Sequence, residues 1–191
     1  MEILIEGCKA REIDKFVKKV VDILEKYGKY VIVSGYVAIF CCRDRPTQDI
    51  DILYIPYSEK HFCILKENLE KTGLTFYGDL ERFFKYKEPA YIFSDFTIGS
   101  YKLYFEIKLP KNELERLAIN NRVKIRKEDI EMYFSPIELQ IVYKLWLGSD
   151  KDILDASYLY NLFKDKLDMK ELKKLAKLLD VEEELNKLIS I

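Results

Sequence analysis

VIVSGYVAIFCCRDRPTQDIDILY, residues 31–54, decides how the rest of this chain is read. Val31, Ile32 and Val33 are apolar and β-branched, the composition of a strand buried on both faces. Ser34-Gly35 breaks the run, and 36–40 has the apolar density of a helix packed on a sheet. A helix that opens directly after a small-residue turn aims free backbone N–H groups and its positive dipole end at whatever lies before it, which suits phosphate. Arg43, Arg45 and Thr47 follow, and then Asp49-Ile50-Asp51-Ile52-Leu53. Strand alternation places Asp49 and Asp51 on one face and Ile50 and Ile52 on the other. Side-by-side carboxylates repel unless a cation sits between them. Beside a phosphate-binding turn, the pair points to Mg²⁺, which takes carboxylate and substrate-phosphate oxygens together.

These residues resemble the signature of the nucleotidyltransferase superfamily: a helix-opening pair of small residues, roughly a dozen residues, then Asp-x-Asp on a strand. That superfamily includes DNA polymerase beta, kanamycin nucleotidyltransferase and the minimal and toxin-type enzymes of bacteria and archaea. The chain is most similar to the toxin-type group (type IV toxins). Tyr36 stands where the second small residue of the pair usually sits, leaving Ser34-Gly35 as the small pair. The resemblance implies a third acidic residue on a neighbouring strand; Glu106 is assigned to it, with Asp95 second, although aspartate is the commoner residue there. It also implies that basic residues of a downstream helix pair face the site. Lys144 and Lys151 take that role, with Asp152 and Asp155 orienting them.

Length and composition bound the rest. The 191 residues allow one full domain with a modest helical extension, and 49% apolar with 34% charged residues describes a globular chain. Lys+Arg 32 against Asp+Glu 33 gives a net charge of −1, which argues against nucleic-acid binding by global charge. Few glycines, one histidine and abundant Lys, Glu, Ile and Tyr resemble hyperthermophile composition. Cys8, Cys41, Cys42 and Cys63 show no metal-finger spacing and read as small hydrophobes in a reducing cytosol. No signal peptide is evident and no apolar run is long enough to span a bilayer, so a cytoplasmic protein without a membrane partner is expected.

Along the chain, residues 1–5 are either a short strand or a docked tail. Ile13, Phe16, Val17, Val20, Val21 and Leu24 follow one helix face, which Gly28 is placed to end. Ser58 caps a helix over 59–72. His61, in its first turn, has a surface or packing role. Residues 73–89 are less regular; Arg82, Lys85 and Lys87 alternate with Phe83, Phe84 and Tyr86, the pattern of a solvated helix edge or of a base-stacking surface. Residues 91–97 and 102–108 form a hairpin around Gly99-Ser100, with Glu106 on the polar face of its second strand. A helix over 111–120 precedes short strands at 123–126 and 131–133 near the sheet edge. Arg122, Lys124, Arg126 and Lys127 read as a partly neutralised, solvated cluster. Ser135-Pro136-Ile137-Glu138 predicts a capped helix start, Ser149 opens another helix and Asp168 a third.

The expected architecture is α/β (α+β), a mixed sheet of about five strands flanked by helices. The nucleotidyltransferase core spans 1–134, and a C-terminal helical extension, 135–191, packs on it. The expected activity is transfer of a nucleoside monophosphate from an NTP, with Mg²⁺ (or Mn²⁺), to a tRNA, protein or small-molecule acceptor. Asp49, Asp51 and Glu106 carry catalysis and metal; Ser34, Gly35, Tyr36, Arg43, Arg45, Thr47, Lys144 and Lys151 contact the nucleotide. A toxin-like role would bring an antitoxin partner. The alternative is a binding module of the same fold with weak or lost catalysis, suggested by the unusual Tyr36 and Glu106.

Overall fold

A computed structural model describes residues 2–190. In chain order the elements are β1 (Glu2–Ile5), α1 (Glu12–Tyr27), β2 (Gly28–Ile32), α2 (Gly35–Phe40), β3 (Asp49–Pro56), α3 (Glu59–Lys71), β4 (Thr75–Tyr77) and α4 (Leu80–Lys85). Then come β5 (Ala90–Ile98), β6 (Tyr101–Lys108), α5 (Glu113–Asn120), β7 (Val123–Lys127), β8 (Ile130–Phe134), α6 (Ile137–Leu147), α7 (Asp150–Phe163), α8 (Met169–Leu178) and α9 (Glu182–Ile189). Among the described residues no helix is long and apolar enough to cross a membrane.

The strands form one mixed sheet of eight, in the order β1-β7-β8-β2-β3-β6-β5-β4, rather than the five or so expected. The difference lies mainly in the edge strands. β1 and β4 have 4 and 3 residues, too few for alternation to register. β1 pairs in parallel with β7, so β7 and β8 are interior and not at the edge. β3 lies at the centre, antiparallel to β2 and parallel to β6.

Pleating sorts the faces. Ile50, Ile52, Phe105 and Ile107 point to the side covered by α1, where Phe16 stacks on Phe96 at 4.6 Å between ring centroids. Asp49, Asp51, Leu53 and Glu106 point to the opposite side, which α5 and α6 cover in part. Gly28 does not cap α1 in a left-handed conformation; its φ is −177° and it leads straight into β2. Its hydrogen is required because a Cβ there would lie 2.6 Å from the Ile55 carbonyl oxygen and from the Tyr54 ring.

Of the four caps expected from the sequence, those at Ser58, Ser149 and Asp168 form and the one at Ser135 does not. Ser58, Asp79, Asn112, Ser149 and Asp168 each accept a backbone N–H of their first turn. At α6 the N-cap is Pro136, not Ser135. The Ser135 N–H instead extends β8 by donating to the Ile32 carbonyl at 3.0 Å, and the Glu138 carboxylate accepts from the Asp168 N–H at 2.9 Å.

The irregular 73–89 segment holds α4. Its Phe83 is buried and stacks on Phe62 at 4.4 Å, so that aromatic forms core, whereas Tyr86 is exposed. The basic cluster at 122–127 is engaged: Arg122 on Glu25 at 2.7 Å, Lys124 on Glu131 at 3.0 Å, and Lys127 fully buried on Asp14 at 2.7 Å. The cysteines also depart from expectation. Cys8 and Cys42 form a disulfide, with Cα atoms 6.2 Å apart, Cys63 is exposed, and only Cys41 behaves as a buried hydrophobe, its thiol pushed up to about 12 by burial.

Candidate functional site

The centre is the carboxyl end of the turn from β2 into α2 and the start of β3. Ser34 carries a positive φ (63°, ψ −138°), a region that non-glycine residues avoid at about 1–3 kcal/mol. It is held there by Gln140 of α6, whose side-chain oxygen accepts the Ser34 N–H at 3.1 Å. Gly35 opens α2 with the Arg45 guanidinium against it, in space that any Cβ would take. Tyr36, assigned to the nucleotide from the sequence, is turned into the core. It is buried, and its hydroxyl donates to Asp14 Oδ1 at 2.7 Å across the core.

β3 then presents its carboxylates. Thr47 Oγ1 lies 3.0 Å from both the backbone carbonyl and Oδ1 of Asp49, which fixes the first of them. The parallel register sets Asp49 opposite Tyr104 and Asp51 opposite Glu106, so Glu106 stands directly beside the Asp-x-Asp motif on the same face. Asp95, the second choice, lies elsewhere, exposed and paired with Lys102 at 2.7 Å.

Lys108 joins this group. Its Nζ is 3.3 Å from Asp51 Oδ1 and 3.8 Å from Glu106 Oε1. Burial works against the Lys108 charge, but the two carboxylates outweigh it and raise its pKa. Burial also raises Glu106; Lys108 pulls it back down and the Asp51 charge adds to the rise. Tyr104 is raised by burial and then by Asp49, Glu106 and Asp51, a sign of how closely the three acids surround it. Beyond it the rings of Tyr91, Phe93 and Tyr104 lie 5.9–6.4 Å apart on the same face.

The other cations gather around Asp155 of α7. Arg45 reaches it with Nη2 on Oδ2 at 2.9 Å and Nε on Oδ1 at 3.0 Å, Arg43 also contacts Oδ1, and Lys144 Nζ lies 2.8 Å from Oδ2 and 2.6 Å from Asp152. Three cations thus meet two carboxylates, and burial lowers both Lys144 and Arg45. For Asp152 burial acts upward, but hydrogen bonds from Lys144 and Ser149 win and lower it. The cluster binds the loop between α2 and β3 to the C-terminal helices. Lys151 is exposed, its carbonyl near Arg43 at 3.4 Å.

Among the described residues, no group of three or more His, Cys, Asp or Glu side chains is gathered closely enough to hold a metal ion. A pair of carboxylates still fits Mg²⁺, which usually binds one or two of them and takes its remaining ligands from water and substrate phosphate. From the sequence, alternation places Lys108 on the face of Glu106 as a candidate ion-pair partner for it but gives it no part in the site; the contact with Asp51 is what the structure adds. Sequence reasoning missed Gln140, whose place depends on how α6 docks.

No family model matches the chain, and no curated protein matches it in sequence. Among solved structures it is similar to an antigenic nucleotidyltransferase-like protein from Paracoccidioides brasiliensis, at 17% identity and a TM-score of 0.53, covering 95% of this chain and 94% of that one. A tRNA-processing enzyme in its apo form matches at 18% identity and a TM-score of 0.39 over 94% of this chain, which spans 60% of that enzyme. The first likeness is one of fold: a mixed sheet flanked by helices in the nucleotidyltransferase-like arrangement.

Proposed function

We propose that this chain transfers a nucleoside monophosphate from an NTP to an acceptor, releasing pyrophosphate. One observation carries the reading: the β3–β6 register brings Asp51 opposite Glu106, with Asp49 on the same face, next to the Ser34-Gly35 turn. Asp49 and Asp51 would hold Mg²⁺ or Mn²⁺ with the triphosphate; when bound, the ion neutralises phosphate charge and lowers the pKa of the attacking hydroxyl. Thr47 orients Asp49 for this. Glu106, with its raised pKa, is a stronger base than an ordinary carboxylate and takes the proton of the acceptor hydroxyl. The acceptor oxygen bonds to the α-phosphorus as the bond from that phosphorus to the leaving pyrophosphate breaks. Positioning and charge supply most of the acceleration in such a transfer. Arg43, Arg45 and Lys144 act by fixing the loop into β3, and Lys151 is the cation left exposed to meet phosphate.

Incubation with each labelled NTP and Mg²⁺ tests the reading. Asp49→Ala or Asp51→Ala is expected to reduce transfer at least about 100-fold, with an unchanged circular dichroism spectrum. Full activity in either variant removes the assignment. Adding total RNA, protein or small hydroxyl compounds in separate reactions identifies the acceptor, and a toxin-like role expects the label on tRNA. A second reading, nucleotide binding without turnover, is favoured by the Lys108 ammonium lying against Asp51. Calorimetric titration of NTP with and without Mg²⁺ separates the two, since the enzyme's binding depends on the ion.

A further inference from the structure

The loop from α2 into β3 carries Arg43, Arg45 and Thr47 and leads into Asp49, and a covalent tether sits at its start. Cys42 is bonded to Cys8, which lies in the segment between β1 and α1. Before the tether, non-covalent contacts hold the chain: Lys127 Nζ donates to the Phe40 carbonyl at 2.9 Å, and the Tyr158 hydroxyl to that of Cys41 at 2.8 Å. After it the backbone is lightly held. The Arg43 N–H donates to the Ala38 carbonyl at 3.0 Å, and the Gln48 carbonyl accepts from the Tyr104 N–H at 3.0 Å. Between them the loop is anchored through the Arg43 and Arg45 side chains on Asp155.

Two features mark this as a held conformation. Cys42 has a φ of 80°, in the left-handed region that is costly for a residue with a Cβ. A cleft of about 490 Å³ adjoins the loop, walled by Asp44, Arg45 and Thr47 on one side and by Arg11 and Phe96 on the other. The loop therefore has space to move into, where a close-packed core would have kept it in place. Both cysteines are half-buried, so a small dithiol can reach the bond from solvent.

We propose that the Cys8–Cys42 bond is a redox switch on this loop. Oxidised, it fixes Cys42 and with it the path of the chain to Asp49. A dithiol reductant supplies two electrons and two protons: the S–S bond breaks, two thiols form, and the dithiol closes to its own disulfide. Cys42 then relaxes from its positive φ, and residues 43–48 enter the adjoining cleft. The release of the loop rests on the tether, the backbone conformation and the cleft. Its effect on activity rests on the nucleotidyl-transfer reading, in which the loop sets Thr47 and Asp49 beside the phosphates.

Hydrogen–deuterium exchange on the full chain, before and after dithiothreitol, reports on the loop without any substrate. A Cys63→Ser background removes the exposed free thiol. Reduction is expected to speed exchange over residues 42–48 by about tenfold or more while β3 and β6 stay protected, and oxidised glutathione should reverse it. Cys8→Ser should exchange as the reduced protein does, with or without dithiothreitol. Reduction should also lower kcat/KM for transfer from NTP by about tenfold, within the roughly 100-fold that a small misplacement can cost. Cys8→Ser should be as slow, and indifferent to dithiothreitol. Unchanged exchange over 42–48 overturns the switch, and so does a rise spread evenly over the sheet, the mark of a merely structural cross-link. Equal, measurable transfer in both redox states overturns its control of activity. Faster loop exchange on reduction, with no transfer in either state, upholds the release of the loop and removes the transfer reading.

Discussion

Lys108 occupies the space that the proposed ion would need. Asp51 and Glu106 stand side by side on neighbouring strands, and the Lys108 ammonium is held 3.3 Å from one and 3.8 Å from the other. Lys108→Ala removes it and leaves two neighbouring carboxylates without a counter-charge. In EDTA the variant is expected to lose about 1–2 kcal/mol of stability, between a surface pair and a buried one, and Mg²⁺ or Mn²⁺ should restore more of it than in the parent. The pH dependence follows from Glu106. Its folded pKa is raised above the ordinary 4.5 by burial and by Asp51, and losing Lys108 raises it further. A raised folded value means that the folded state binds the proton more tightly. The variant is therefore closest to the parent below pH 4.5 and falls behind as pH rises through the raised value. Urea unfolding across that window checks it; a constant gap at all pH values would remove Glu106 from the pair.

At the scale of elements, α2 and the loop that follows it are tied down by a distant helix. Arg43 and Arg45 from that loop and Lys144 from α6 all close on the buried Asp155 of α7. Asp155→Asn leaves three cations with Asp152 alone and should cost about 3–5 kcal/mol, the usual effect of breaking a buried pair from one side. Because the same loop delivers Thr47 and Asp49, transfer activity should fall as well, which assays below the new unfolding midpoint would register. Much at this scale was legible beforehand. Residues 31–54 gave strand, turn, helix and strand because the apolar run, the small pair and the Asp alternation agree with one another. The roles of Arg43, Arg45 and Tyr36 were not, because whether a cation meets phosphate or a buried carboxylate depends on partners more than 100 residues away, or, for Tyr36, on Asp14 in a different helix. Ser135 misled for a related reason: serine before proline reads as a cap, but strand pairing with Ile32 claimed its backbone first.

For the whole molecule, the question is whether the sheet can stand without residues 135–191. The expected boundary at 134/135 rests on a change of pattern, strands before and helices after, but pattern carries no information on how much core the two parts share. In the structure Ile137, Leu139, Ile141, Val142 and Leu145 of α6 are all buried, at no more than 3% exposure. At about 1.5–3 kcal/mol for each large aliphatic side chain, their burial amounts to roughly 8–15 kcal/mol as an upper estimate. That equals the entire net stability of a typical domain, about 5–15 kcal/mol. The cut would also free Ser34 from Gln140 and unpair Arg43 and Arg45 from Asp155. A chain ended at residue 134 should accordingly lack a cooperative thermal transition and near-ultraviolet dichroism, and adding the 135–191 segment as a separate peptide should recover part of both. A fragment that melted cooperatively on its own would mean that the C-terminal helices merely decorate an independent core, and that the Gln140 and Asp155 contacts do not hold the site together.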